Sequence, residues 1–178
     1  MTLEFKQMRF YNIFIILLAC GASALLSNCR GGYSFTGASL SPDVETVYVA
    51  YIENTAPLIM PTLSNMLTER LTDKFTRQTK LTFTEIDADL QFEGEITNYD
   101  VTSIAVQAGE YAAQNRLTVA IRIRFTNMKD EKQSFNKSFS AYADFPSEQS
   151  LDAVQNALVE EIIQQLVENI FNDSVANW

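Results

Sequence analysis

The spacing of apolar side chains changes period several times along this chain, and each change marks a new element. Val44 to Ile52 (VETVYVAYI) carries β-branched and aromatic residues at both parities, which suits a strand buried on both faces. Asn54-Thr55-Ala56-Pro57 breaks it. Pro61 suits a helix first turn, and Leu63, Met66, Leu67, Leu71 and Phe75 follow at helical spacing, so a helix is expected over Pro61–Gln78. A short extra strand is a candidate around Leu81–Thr84. From Leu90 the period becomes two. Leu90, Phe92 and Ile96 point one way, and Gln91, Glu93, Glu95 and Thr97 the other. Tyr99 and Val101 then switch parity, which predicts a bulge near Thr97–Asn98.

Arg116 to Thr126 has the cleanest alternation. Leu117, Val119, Ile121, Ile123 and Phe125 share one face, opposite Arg116, Thr118, Ala120, Arg122 and Arg124. Asn127 to Lys132 turns the chain, and Phe135, Phe139, Ala141, Ala143 and Phe145 define a last strand. Ser147 is the expected N-cap of a final helix, with Glu148 in its first turn. Leu151, Val154, Leu158, Ile162, Leu166 and Ile170 form its apolar stripe. The order β-α-β-β-β-α, with one polar face per strand, predicts an α+β fold. Its expected form is a mainly antiparallel four-stranded sheet with two helices packed on one face. Ser103 to Gln114 is long for a hairpin connection and reads as either extended strand or a projecting loop.

The first thirty residues follow a different logic. Lys6 and Arg9 precede the 17-residue, largely apolar run Phe10–Leu26, and Ser27, Asn28, Arg30, Gly31 and Gly32 follow. Basic, apolar and small-polar segments in that order describe a secretory signal peptide. A membrane-spanning anchor is the rival, but the run is at the short edge of what crosses a bilayer, and Asn12 and Ser23 interrupt it. The chain has two cysteines, Cys20 and Cys29, both near the end of this run. Leu26-Ser27-Asn28-Cys29 has the spacing of a lipoprotein cleavage site, with Asn28 larger than usual. Leu17-Leu18-Ala19-Cys20 is the better local match but leaves Ala24-Leu25-Leu26 on the mature end. Acylation at Cys29 is preferred, with Cys20 as the alternative, because Arg30-Gly31-Gly32 then forms a flexible polar tether. The expected organisation is a signal peptide over 1–28, a lipidated cysteine with tether over 29–43, and a single domain over 44–178.

Removing residues 1–28 takes away Lys6, Arg9 and Glu4, which leaves 11 basic and 21 acidic side chains and a net charge of −10. So acidic a domain binds nucleic acid or anionic membrane poorly, and any anionic ligand needs a local basic patch. The chain has no histidine, which removes imidazole-based triads and His-ligated metal sites. With no phosphate loop and no free cysteine for a metal, neither a catalytic site, a metal nor a cofactor is expected. Glu93 and Glu95, on one strand face, are the remaining candidates for a general acid and base.

The sharper feature is the row Arg116, Arg122 and Arg124 on one strand face. Ordinary cross-strand ion pairing explains such a row at a few tenths of a kcal/mol per pair. Guanidinium forks also suit phosphate, and Lys129, Lys132 and Lys137 would extend a basic zone around the hairpin tip.

Several segments together resemble the LptE family of lipopolysaccharide-assembly lipoproteins. They are Tyr33-Ser34-Phe35-Thr36-Gly37, Ser41-Pro42-Asp43, Ala56-Pro57 with Pro61-Thr62-Leu63, Thr68-Glu69 and Asp73-Lys74-Phe75. Phe92-Glu93-Gly94-Glu95-Ile96, Gln114-Asn115-Arg116-Leu117 and Val175-Ala176-Asn177-Trp178 complete the set, which spans nearly all of 29–178. The resemblance implies a two-helix, four-stranded domain anchored to the periplasmic face of the outer membrane. It implies a plug and assembly partner for the large β-barrel LptD, acting in lipopolysaccharide insertion and contacting the glycolipid. It supplies no residue-level match for those contacts, so Arg116, Arg122, Arg124, Lys129 and Lys132 stand as the candidate phosphate contacts. The alternative is a periplasmic lipoprotein that activates or scaffolds another envelope complex, such as a cell-wall synthase.

Overall fold

The computed structural model describes residues 40–58, 60–104 and 113–176. Cys20, Cys29, the signal segment, the tether and most of the 103–114 connection lie outside the described residues. The elements are β1 (Thr46–Val49), β2 (Glu53–Asn54), α1 (Leu63–Gln78), β3 (Thr82–Phe83), β4 (Leu90–Ile104), β5 (Gln114–Asn127), β6 (Phe135–Pro146) and α2 (Leu151–Phe171). A 3₁₀ turn at Glu131–Gln133 joins β5 to β6, and a π-helical segment, Asn172–Ala176, follows α2.

The class is α+β as expected, but the sheet has six strands and is mixed. Its order is β3-β1-β4-β5-β6, with β2 also paired to β4. β4–β5 and β5–β6 are antiparallel, whereas β1 runs parallel to both β3 and β4, and β2 parallel to β4. The cause is the crossover: α1 lies over the sheet and returns the chain to its starting end, so the strands that follow begin parallel to β1. The expected extra strand is real, as β3.

The expected nine-residue first strand is two short ones. Val49 pairs with Phe92 and Glu53 with Glu95, so β1–β2 spends four residues where β4 spends three. One amide leaves the ladder at this bulge. Ile52 N–H donates 3.1 Å to Thr68 Oγ1 on α1, which in turn donates to Ser64 O at 2.8 Å. The second bulge falls where the parity switch placed it: Ile96 pairs with Ile121 and Asn98 with Ala120. Thr97, the extra residue, donates its hydroxyl to Ala120 O at 3.2 Å, and Tyr99 thereby returns to the apolar face.

That apolar face meets both helices. Leu63, Leu67, Leu71 and Phe75 of α1 are wholly buried, one per turn. α2 buries a wider stripe than its expected line, because Val159, Ile163 and Val167 join Leu158, Ile162, Leu166 and Ile170. Ile163 and Val167 line the groove between the helices, which Lys74 crosses to reach Glu168 while lying 4.9 Å from the Phe171 ring. Phe75 contacts Phe92 and Phe171 at 4.6 and 5.1 Å between centroids, and Phe92 contacts Phe125 at 4.8 Å. An aromatic row thus locks the helix ends to the sheet.

Two helix starts differ from expectation. α1 begins at Leu63, after a turn containing Pro61. α2 begins at Leu151 with Ser150 in the capping position, and Asp152, not Glu148, lies in its first turn. Ser147 instead lies in a turn after β6, where its amide donates to Ala113 O at 3.1 Å and the Gln149 amide donates to Pro146 O at 3.0 Å.

Candidate functional site

The pleat that buries Leu117 to Phe125 turns the alternate residues of β5 to the uncovered side. Register then decides what each meets. Arg122 lies opposite Glu95, Arg124 opposite Glu93, and Arg116 opposite Asp144 on β6. Arg116 grips Asp144 with two bonds, Nε–Oδ1 at 2.7 Å and Nη2–Oδ2 at 2.9 Å, and stacks 3.6 Å from the centroid of Tyr142. The Arg116 hydrogen bond holds the Asp144 carboxyl below the usual carboxylate range, against the opposing effect of burial. Arg122 meets Glu95 at 3.0 Å and Arg124 meets Glu93 at 3.3 Å, both pairs largely in solvent. The row is therefore a ladder of cross-strand ion pairs, and a phosphate recruits these arginines only by displacing carboxylates. Arg124, the most exposed and least tightly held, is the easiest to recruit.

The lysines divide. Lys129 and Lys132 lie in the β5–β6 connection at the starting end of β1 and β4. Lys129 Nζ is 3.0 Å from Asp89 Oδ1, and that bond raises its pKa. Lys132 is exposed on the 3₁₀ turn, with no ion-pair partner among the described residues. Lys137 lies on the other face of β6, 4.8 Å from the Phe135 ring centroid and paired with Asp173 at 2.9 Å. It has the parity of Phe135 and Phe139, so it does not extend the polar-face zone.

Where β1 gives way to β2, the polar face dips into a shallow groove of about 380 Å³. Glu93, Glu95, Arg122 and Arg124 lie along it, with Tyr51 and Glu53 on one side and Asn136 on the other. A hydrolase built on Glu93 and Glu95 would call for a deep pocket; here both carboxylates are tied to arginines in an open groove. Among the described residues, no cluster of three or more potential ligands could hold a metal ion.

A domain of this architecture, with one face sealed by helices and the other polar, is matched over residues 44–174 by the LptE lipopolysaccharide-assembly family model. The chain belongs to the LptE family. No curated protein matches its sequence. Among solved structures, hypothetical protein CT253 from Chlamydia trachomatis is similar with a TM-score of 0.52 and 9% identity, over 75% of this chain and 99% of that one. A putative neuraminyllactose-binding hemagglutinin homolog from Helicobacter pylori gives 0.50 and 12%, over 74% and 86%. A minor lipoprotein from Acinetobacter baumannii gives 0.45 and 11%, over 75% and 94%. At these identities the first two share the fold of this LptE-family chain.

Asp144 and Tyr142 escaped the reading of the arginines, although both have the outward parity of β6, because their partner depends on β5–β6 register. Tyr51 was hidden inside what reads as one continuous strand, and Glu53 lies one residue past its expected end. No helix among the described residues is long and apolar enough to cross a membrane.

Proposed function

We propose that this LptE-family chain is a lipid-anchored plug and assembly partner of the LptD β-barrel, serving lipopolysaccharide insertion at the outer membrane from its periplasmic side. The family match over residues 44–174 carries the reading. The sheet supports it: a polar face left open over three long strands suits a wet, polar barrel lumen better than a dry interface. Acylation at Cys29 would concentrate the domain beside its barrel, doing by tethering what a −10 charge cannot do by attraction to an anionic surface. The function is binding and support, without catalysis and without a cofactor. Glycolipid phosphates are assigned to Lys132 at the lysine end of the β5–β6 hairpin, with Arg124 next, then Arg122, and with Lys129 and Arg116, each held by a partly buried carboxylate, last.

A mild-detergent pull-down of the tagged full chain from outer membranes, read by mass spectrometry, tests the proposal. A stoichiometric large β-barrel is the expected result. Recovery of cell-wall enzymes with no barrel would instead favour a scaffold or activator of another envelope complex.

A further inference from the structure

The polar-face groove has a charge balance that the phosphate assignment leaves unused. It brings three carboxylates, Glu53, Glu93 and Glu95, against two guanidiniums, Arg122 and Arg124. Both guanidiniums are already neutralised by Glu95 and Glu93. Glu53 has no ion-pair partner among the described residues, so the groove carries one net negative charge. A phosphate entering it meets repulsion and has to strip a carboxylate from its arginine. A neutral or amine-bearing ligand meets neither obstacle.

Tyr51 stands at the rim, 56% exposed, where the bulge between β1 and β2 lifts it out of the sheet. Its ring offers a flat apolar surface for the C–H face of a pyranose. The carboxylates accept from hydroxyls or an amine, the guanidiniums donate, and the Asn136 amide does both. From Tyr51 and Glu53 across β4 and β5 to Asn136 on β6 the groove crosses three inter-strand spacings, about 14 Å. That is the length of two or three sugar residues.

We infer that the groove is a subsite for a di- or trisaccharide that is neutral or carries an amine, formed by Tyr51, Glu53, Glu93, Glu95, Arg122 and Asn136, with Arg124 at its hairpin end left to the phosphates. The inference rests on a glycolipid being the ligand, and it separates the sugar of that ligand from its phosphates, which go to the lysine end of the hairpin.

Saturation-transfer NMR on the full chain in mild detergent tests this with three probes: a glucosamine dimer, its N-acetylated form, and glucosamine 6-phosphate. Saturable binding of both dimers is expected, the amine form more tightly, with the phosphorylated sugar weakest. Tyr51→Ala should weaken dimer binding about tenfold and Tyr51→Phe should preserve it, while both keep the wild-type melting temperature. Glu53→Gln should erase the preference for the amine. The inference fails if neither dimer binds saturably, if Tyr51→Ala binds as wild type does, or if the phosphorylated sugar binds best. Barrel recovery from the same preparations keeps the two readings apart. A barrel retained without sugar binding removes only the subsite, and sugar binding without a barrel removes the plug.

Discussion

Asp89 joins the start of β1 to the connection between β5 and β6. Its Oδ2 accepts the Glu45 and Thr46 amides at 2.9 and 3.0 Å and the Thr46 hydroxyl at 2.9 Å, while Oδ1 takes Lys129. Burial by itself would raise its pKa, but the Glu45 amide, Lys129 and Thr46 outweigh burial and hold it at about 2. The carboxylate is thus stabilised in the folded state relative to an unfolded value near 3.9. Its contribution is complete above about pH 4 and is lost as pH falls toward 2, on the order of 1 to 2 kcal/mol after solvent screening. Denaturant unfolding at pH 7, 4 and 3 should show that decline in the wild type and a flatter profile in Asp89→Asn. Equal slopes would remove Asp89 from the account. Gly94 gives a second test. A Cβ there would lie 2.6 Å from both Arg122 O and Ile123 Cδ1, and the carbonyl belongs to a central strand that cannot yield. Gly94→Ala should cost about 1–3 kcal/mol, read as a fall in melting temperature with circular dichroism otherwise native. At this scale the outward parity of the arginines was legible from the alternation of β5 alone. Their partners were not, because pairing Arg116 with Asp144 depends on a register that a period of two leaves free. Lys137 was misplaced by nearness in sequence, when its parity with Phe135 and Phe139 already sent it to the helix side.

Elements whose apolar period is carried by their own side chains were readable: α1, the Thr97 bulge, and the β4–β5–β6 meander. Elements defined by what another part of the chain does to their backbone were not. The break between β1 and β2 is the clearest case. VETVYVAYI has the composition of an unbroken strand, yet Ile52 N–H turns to Thr68 Oγ1, twelve residues beyond Ala56 in a different layer. Thr68→Val keeps the shape and removes the acceptor, leaving the amide of a 1%-exposed residue unsatisfied. The expected cost is about 1–3 kcal/mol, compared with under 1 for Thr72→Val, whose hydroxyl bonds only the Thr68 carbonyl of its own helix. Hydrogen exchange should locate the Thr68→Val loss at Ile52 and its neighbours. Uniform loosening of the whole sheet would mean that the bond is not what holds the bulge. α2 starts late because the residues before it form a turn closed by the Gln149 amide on Pro146 O at 3.0 Å, with the Ser147 amide held to Ala113 O.

For the whole molecule the decisive quantity is the distribution of charge around an acidic total. The described ion pairs tie Arg70, Lys74, Arg77, Arg116, Arg122, Arg124, Lys129 and Lys137 to carboxylates. Positive charge is therefore present almost everywhere in neutralised form. An anionic glycolipid has to find cations that cost little to recruit, and recruitment cost orders the candidates. Lys132 needs no partner displaced, Arg124 gives up a single exposed contact of 3.3 Å, Arg122 one of 3.0 Å, and Arg116 a bidentate grip and an aromatic stack. Lys132→Glu and Arg124→Gln should each weaken lipopolysaccharide binding several-fold, with stability changed by no more than about 0.5 kcal/mol. Arg116→Gln should do the reverse, lowering the melting temperature with binding nearly intact. Binding to immobilised lipopolysaccharide, measured beside the melting temperature for each variant, separates the two patterns. If Lys132→Glu and Arg124→Gln bind as wild type does, the hairpin end is not where the phosphates are met. If Arg116→Gln alone loses binding while keeping its stability, the recruitment order is inverted, and the stacked arginine is the recognition element instead.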